Sequence, residues 1–216
     1  MEIPSRIENS MKLCFVNEEL NLVFINIPKN SSTAIRGSIP LIIEEYNDSH
    51  KYYIKFLVIR NPFDRIISSY FEVIKLRRDT GNTSEITKNK TFYLNKNPIE
   101  LSFYSFVKDL YINGFYEDHT FPQIEYLRKK GINIEDNTLN ILLFENIHPD
   151  FANFTGKILG KSIELQNVHY MISSKKKAAT LKTAIKCFPA LYSMISEIYK
   201  EDIEMYKYFK KLKNRM

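Results

Sequence analysis

The chain has 216 residues, of which 44% are hydrophobic, and this predicts one domain, residues 1–216, with a sizeable core. No run of eighteen apolar residues occurs, and residues 1–12 lack the apolar centre of a signal peptide, so we expect a cytoplasmic protein without a transmembrane helix. The net charge of +6 is concentrated from Lys175 onward, where eleven Lys or Arg accompany four Asp or Glu, which argues against a uniformly basic nucleic-acid-binding face.

A β-hairpin is predicted near the start of the chain. Residues 11–16 and 20–27 are two apolar runs joined by the polar turn Asn17-Glu18-Glu19. The second run is almost unbroken from Leu22 to Ile27, which is typical of a strand buried on both faces. Pro28 should end this strand, because proline has no backbone N–H to donate to a sheet.

A polar loop follows this strand and leads into a predicted helix. Lys29 contributes a positive charge, and the small residues after it contribute amide and hydroxyl donors: Asn30, Ser31, Ser32 and Thr33. A turn into a helix N-terminus also presents free backbone N–H groups, so the loop predicts a phosphate or sulfate site. The alternative is a capped helix with a solvated Lys29. The loop is not a Walker A motif, since its lysine comes first and no glycine is present.

A second strand–turn–helix unit follows. Residues 34–46 have a helical pattern that Gly37 and Pro40 should break or kink. Residues 56–59 then form a short apolar run typical of a buried strand, with Arg60 at its C-terminal end. The sequence therefore repeats the arrangement of an apolar strand that ends at a cation.

The two cations are predicted to converge. If the two strands are parallel neighbours, Lys29 and Arg60 lie at the sheet rim where ligands of open α/β sheets bind. Asp64 is the predicted N-cap of the next helix, and Ser68, one turn later, is placed to add a hydroxyl to a phosphate held by Arg60. The alternative for Arg60 is a surface ion pair with Asp64.

The remaining chain alternates predicted helices with one more strand. Residues 75–98 are polar and basic, and a segment of this length is either functional or disordered. Apolar spacing and glycine stops predict helices at 98–114, 122–130, 151–160 and 191–209, and a strand at 139–144. We expect the aromatic residues of the last helix to pack in the core.

The cysteines and histidines give no metal-binding pattern. Cys14 and Cys187 lie in apolar settings, so we expect buried, reduced thiols rather than a disulfide. The four histidines are scattered and lack metal-ligand spacing. We therefore predict no metal site.

Taken together, these segments resemble the sulfotransferase family, particularly its carbohydrate and membrane-associated branch. The similarity is carried by Ile27-Pro28-Lys29 with Thr33, and by Val58-Ile59-Arg60-Asn61-Pro62-Phe63 with Arg65, Ser68 and Tyr70. It continues more weakly through Asp118-His119, Pro122-Gln123, Leu143-Phe144-Glu145-Asn146-Ile147 and Asp202-Ile203 with Tyr206. One departure is Ser32, where many relatives have glycine, since a side chain there narrows the approach of a phosphate to the backbone.

The resemblance implies a P-loop-like, three-layer α/β fold with a central, mainly parallel β-sheet flanked by helices. It implies that 3′-phosphoadenosine-5′-phosphosulfate is the sulfuryl donor. It also implies that the acceptor is a hydroxyl group of a small molecule or glycan, and a carbohydrate hydroxyl is the one we expect. It also implies that Pro28 to Thr33 wrap the 5′-phosphosulfate, that Arg60 and Ser68 hold the 3′-phosphate, and that residues 75–98 border the acceptor cleft.

Sulfuryl transfer resembles phosphoryl transfer, with in-line attack and charge growing on the leaving oxygen. Lys29 suits neutralisation of that charge. The acceptor proton needs a base, and His119 is the prediction: it lies in a polar turn before a helix and matches the family's His-x-x-Pro-Gln segment. Glu117 is the reserve base, since some sulfotransferases use a glutamate.

Two other functions are compatible with parts of the sequence. A nucleotide or small-molecule kinase would need Mg²⁺ and a lysine-after-glycine loop, and that loop is absent. A non-enzymatic polyanion- or nucleic-acid-binding module would use the basic C-terminal part, and its salt-dependent binding would survive Lys29→Ala. The same basic residues could contact a membrane surface or form a solvated helix face.

Overall fold

The computed structural model describes residues 5–79, 99–114, 118–136, 138–166 and 174–213. Its strands are Leu13–Asn17 (β1), Leu22–Ile25 (β2), Ile42–Glu45 (β3), Ile54–Ile59 (β4) and Leu139–Leu143 (β5). Its α-helices are Ser5–Lys12 (α1), Ser32–Ser38 (α2), Pro62–Asp79 (α3), Ile99–Asn113 (α4), Gln123–Arg128 (α5), Ile147–Leu159 (α6), Ser174–Cys187 (α7), Pro189–Ile198 (α8) and Lys200–Lys213 (α9). Short 3-10 turns cover Asp48–Tyr52, Asp118–Thr120 and Phe144–Asn146.

The described strands form one sheet in the order β3-β1-β2-β4-β5. β2, β4 and β5 are parallel neighbours, with Phe24 opposite Phe56 and Phe56 opposite Asn140. β1 is antiparallel to both β2 and β3, which confirms the predicted hairpin. The sheet is therefore mixed: β1 alone runs against the other four strands, but two of the four pairings are antiparallel, so "mainly parallel" describes only the β2-β4-β5 half.

Helices cover both faces of the sheet, because successive side chains of its buried central strands point to opposite sides. On one face Phe24 and Phe56 stack with ring centroids 4.9 Å apart, and Phe154 of α6 lies 4.8 Å from Phe56. The other face packs against α1, α5 and α9 through one apolar cluster: Met11, Val23, Ile25, Leu57, Ile59, Tyr126 and Met205. A third cluster joins α3, α4, α7 and α8 beside the sheet.

The prediction that the helical pattern over residues 34–46 breaks or kinks at Gly37 and Pro40 is confirmed as a break, but the residues after the break are not helical. α2 ends at Ser38, before Pro40, and Ile42–Glu45 is the edge strand β3. Ile42 and Ile43 are 56% and 59% exposed, so their hydrophobicity does not report a buried helix face. Pairing with β1 decides the conformation of this segment.

The start of α3 also corrects a prediction. The helix begins at Pro62, and the Asn61 side-chain oxygen accepts the Phe63 N–H at 3.0 Å, so Asn61 rather than Asp64 caps it. Asp64 lies in the first turn and forms an ion pair with Lys182 at 2.8 Å instead of with Arg60. The predicted segment 75–98 begins within α3, and its residues 80–98 lie outside the described part of the chain.

The C-terminal helix predicted as continuous is divided at Tyr199, whose backbone has φ −113° and ψ 28°. Leu191, Ile195, Tyr199 and Tyr206 are buried as predicted, whereas Met194, Ile198 and Phe209 are only partly buried. Cys14 is buried, and burial raises the pKa of its thiol to about 11. Cys187 is also a free thiol but is exposed, so the prediction of burial is wrong for it.

The predicted helix stops are confirmed where glycines adopt a left-handed backbone, as Gly114 and Gly160 do with φ 78° and 64°. Across the described ranges, none of the helices combines the length and apolar character needed to span a bilayer.

Candidate active site

The loop between β2 and α2 has a strained backbone that a buried asparagine holds in place. Lys29 and Ser31 have φ of 71° and 64°, in the left-handed region that non-glycine residues rarely adopt. Asn30 between them is fully buried, and its Nδ2 donates to Val58 O and to Gln123 Oε1, both at 2.7 Å. The loop is therefore fastened to the end of β4. Ser31 precedes α2 without forming a side-chain cap, which leaves the first-turn N–H groups to other partners.

Arg60 lies directly beside this loop. Its Nη1 donates to Lys29 O at 3.1 Å, and its guanidinium lies 4.1 Å from the Phe144 ring centroid. Burial lowers the pKa of the Arg60 guanidinium to about 10, so the group remains charged at neutral pH. Within the described residues its Nε is buried without a hydrogen-bond partner. Arg60 is thus a partly buried cation with unused donor capacity.

Gln123 joins the loop, β4 and α5 through one fully buried side chain. Its Oε1 accepts the Arg60 N–H at 2.9 Å as well as the Asn30 amide, and its Nε2 donates to Arg60 O at 2.9 Å. The buried Asp202 of α9 in turn accepts the N–H groups of Gln123 and Ile124 at 2.7 and 2.9 Å. These bonds fix the backbone on which the two predicted cations stand.

One face of α3 carries three polar side chains at positions i, i+4 and i+7. Buried Arg65 donates from Nε to Pro28 O at 3.2 Å and from Nη1 to Phe121 O at 2.7 Å. Buried Ser69 donates to His119 O at 2.5 Å. Glu72 forms an ion pair with Lys29, with 3.1 Å between Oε2 and Nζ. This face of α3 therefore brings the loop and the His119 segment to the same place.

His119 lies in a 3-10 turn at the edge of this cluster. Its Nδ1 lies 2.8 Å from Oδ1 of Asp118, and its side chain is 23% exposed. Burial alone would raise the pKa of Asp118, but the interaction with His119 and its charge bring that pKa below its ordinary value. Because Nδ1 faces the carboxylate, Nε2 is the ring nitrogen left for proton transfer.

The other predicted site residues are less tightly fixed. Ser68 is half-buried on α3, Ser32 is the first residue of α2, and Thr33 is exposed. Glu117 lies outside the described residues. No group of three or more His, Cys, Asp or Glu suited to a metal occurs in the part of the chain that the structure describes.

The residues that position this site were not among the residues predicted from the sequence to form it. Gln123 and Asp202 stood in the segments that carry the resemblance, but no role was assigned to them. Arg65 and Ser69 lie four residues apart on a predicted helix, and this spacing was the signal available for a shared polar face. Glu72 gave no local signal, since Lys29 lies 43 residues before it.

Comparison with known proteins gives one family. A family model described as "Sulfotransferase family" matches residues 39–209, most of the chain. The matched range contains Arg60, Ser68 and His119, and it begins after the loop at residues 28–33. No curated protein and no solved structure matches the chain. Because the family match extends over well more than half of its length, the chain belongs to the sulfotransferase family, whose reaction is sulfuryl transfer.

Proposed function

We propose that the protein transfers the sulfuryl group of 3′-phosphoadenosine-5′-phosphosulfate to a hydroxyl group, and that the acceptor is a carbohydrate. The observation that supports this most is the contact between Arg60 and the loop after β2. Arg60 Nη1 lies 3.1 Å from Lys29 O, so the guanidinium that follows β4 contacts the backbone of the loop that follows its parallel neighbour β2. A donor with a phosphate at each end requires two such anion sites. The P-loop-like character of the fold is part of the same proposal.

Each site residue has a proposed role. The loop from Pro28 to Thr33 holds the 5′-phosphosulfate. The Lys29 ammonium, the hydroxyls of Ser31, Ser32 and Thr33 and the backbone N–H groups at the start of α2 contact it, whereas Pro28 and the buried Asn30 fix the course of the loop. Arg60 and Ser68 hold the 3′-phosphate, for which the unused Nε of Arg60 is a suitable donor. The donor is a co-substrate, and the proposed reaction needs no metal ion.

In the reaction, the acceptor hydroxyl oxygen attacks sulfur while the bond from sulfur to the 5′-phosphate oxygen breaks. Lys29 neutralises the charge that grows on that leaving oxygen. Nε2 of His119 takes the acceptor proton, and Asp118 at Nδ1 stabilises the resulting imidazolium. Glu117 is the second candidate for the base. The products are a sulfate ester and adenosine 3′,5′-bisphosphate.

The test is isothermal titration with adenosine 3′,5′-bisphosphate. We expect the unmodified protein to bind it and Arg60→Ala to lose at least tenfold in affinity, as expected when a charge-assisted phosphate contact is removed. Arg128→Ala is the control, because Arg128 is an exposed arginine paired with Glu125 and Glu201. Absence of binding by the unmodified protein, or full binding by Arg60→Ala, would contradict the proposal.

The acceptor is tested separately. The assay measures transfer of labelled sulfate from the donor to a panel of glycans and small-molecule alcohols. Hydroxyl groups should be labelled, and glycans should be labelled at a higher rate than the small-molecule alcohols. His119→Asn should bind the bisphosphate normally but lose turnover, because only the proton acceptor is removed. Labelling of amines alone would contradict the hydroxyl assignment.

We also propose a cytoplasmic location with peripheral membrane contact through the basic C-terminal helix. The last turn of α9 carries the exposed Lys210 and Lys211, which would attract an anionic lipid surface, whereas Lys213 is paired with Asp150. Co-sedimentation with phosphatidylserine vesicles tests the contact. Equal binding to neutral phosphatidylcholine vesicles would contradict it.

A further inference from the structure

The Lys29–Glu72 ion pair occupies the functional group on which the proposed reaction depends. Nζ of Lys29 lies 3.1 Å from Oε2 of Glu72, and the two side chains are 21% and 27% exposed. A pair this far from bulk water is screened less than a surface pair. In this arrangement the ammonium already has an anionic partner.

Contacts between α3 and neighbouring segments hold the helix that carries Glu72 close to the loop. Arg65, seven residues earlier on the same face of α3, donates to Pro28 O in the loop itself. Ser69, between them, bonds to the His119 carbonyl. Lys29 in turn has a left-handed backbone, and its carbonyl accepts from Arg60. The Glu72 carboxylate and the loop are thus parts of one braced unit.

A second anion therefore cannot reach Lys29 without a cost. A phosphosulfate held by the loop would place its negative charge beside the Glu72 carboxylate, and like charges at a few ångströms repel strongly when partly shielded from water. The ammonium can neutralise the leaving oxygen only if it turns from Glu72 to the donor.

We propose that Glu72 is a competing ligand for Lys29: its carboxylate holds the ammonium in the free protein, and an anionic donor binds by replacing that carboxylate. This inference rests on the proposed role of the loop in donor binding. Glu72 is a positioning residue here, because it acts on the donor through Lys29. The exchange keeps the cation ordered before the donor arrives and weakens donor and product binding to the same site.

The exchange predicts that loss of the Glu72 charge strengthens anion binding, whereas a Glu72 that only held Lys29 in place would predict weaker binding. Removing the Glu72 charge frees Lys29 and removes a repulsion, so Glu72→Gln should bind adenosine 3′,5′-bisphosphate about tenfold more tightly than the unmodified protein. If Glu72 only held Lys29 in place for the anion, the same substitution would weaken binding. Glu204→Gln is the matched control, since Glu204 is exposed on α9 and the net charge changes equally.

The experiment is titration calorimetry with two probes, the bisphosphate and inorganic pyrophosphate, after thermal unfolding has shown that each variant is folded. Tighter binding of both probes by Glu72→Gln, with Glu204→Gln unchanged, supports the exchange. Equal or weaker binding by Glu72→Gln overturns it. If Glu72→Gln does not fold, Glu72→Asp replaces it; its shorter carboxylate should tighten binding about threefold, and unchanged or weaker binding overturns the proposal.

The two probes separate this inference from the proposed function. Tighter binding of pyrophosphate by Glu72→Gln without any binding of the bisphosphate would refute the nucleotide donor but leave the exchange at Lys29 standing. Binding of neither probe by any variant would overturn the exchange as well, because no anion would then reach Lys29.

Discussion

Gln123 is the residue whose loss should most clearly separate the site from the rest of the fold. The proposed change is Gln123→Leu, which keeps a side chain of comparable volume but removes both polar atoms. In the structure Gln123 is fully buried and its side chain makes three hydrogen bonds, to the Arg60 N–H, the Arg60 carbonyl and the Asn30 amide. Leucine can form none of them.

The expected magnitude follows from the groups left unpaired. The Arg60 N–H and carbonyl lose their Gln123 partner, whereas the Asn30 amide keeps its bond to Val58 O. Each polar group left without a partner costs about 1–3 kcal/mol, so the loss of two partners should lower the unfolding free energy of the variant by about 2–6 kcal/mol. For a chain of this size, that corresponds to a melting temperature lower by roughly 4–24 °C.

The assay is urea unfolding at 25 °C followed by far-ultraviolet circular dichroism, with bisphosphate titration on the folded variant. Gln166→Leu is the control, since Gln166 is the other glutamine of the chain and is exposed. It should change stability by less than about 0.5 kcal/mol. Affinity for the bisphosphate should fall only in Gln123→Leu, because that residue fixes the backbone of Arg60.

A loss below about 1 kcal/mol in Gln123→Leu would refute this reasoning, because the paired groups would then have found other partners at little cost. A large loss of stability with unchanged nucleotide affinity would refute the second part, namely that this side chain positions the donor site.

Two further predictions concern the loop and the His119 turn. Ser31→Gly should raise the unfolding free energy by up to about 1 kcal/mol, because glycine adopts φ 64° without strain. Ser32→Gly, at the start of α2, should give no such gain. Chemical unfolding of the two variants measures both effects, and equal effects would contradict the assignment of strain to Ser31. The pKa of Asp118 is lowered in the folded protein, so its ionised form stabilises the fold above its unfolded pKa, near 4, and this contribution disappears as the pH falls through the lower folded pKa. Asp118→Asn should therefore be less stable than the unmodified protein at pH 7 but not at about pH 2. Thermal unfolding of both proteins at the two pH values tests this, and a stability difference that is the same at both pH values would contradict it.

Local chemistry was sufficient for much of the architecture. The apolar runs that precede Pro28 and Arg60 contain the parallel strands β2 and β4. A continuous run of β-branched and aromatic residues has apolar side chains on both faces of a strand, so both faces are removed from water. Gly114 and Gly160 end their helices, because their left-handed backbone is accessible to glycine. The family resemblance was also readable from the sequence and agrees with the match over residues 39–209.

Edge and junction positions were not readable in the same way. Ile42 and Ile43 lie in a segment with a helical sequence pattern but belong to the exposed edge strand β3, where pairing with β1 overrides propensity. Tyr199 lies inside a continuous apolar pattern, yet the helix breaks there. For β3, the deciding contacts come from another segment of the chain, the strand β1.

The sequence by itself determined which residue types stand beyond the ends of β2 and β4, and hence the kind of ligand, an anion, that Lys29 and Arg60 suit. Only the tertiary structure decided which groups accompany them. Gln123 reaches Arg60 across 63 residues, and Glu72 reaches Lys29 across 43. The physical reason is that such polar pairings follow from the order of strands in the sheet and the facing of α3, and no short-range periodicity encodes either.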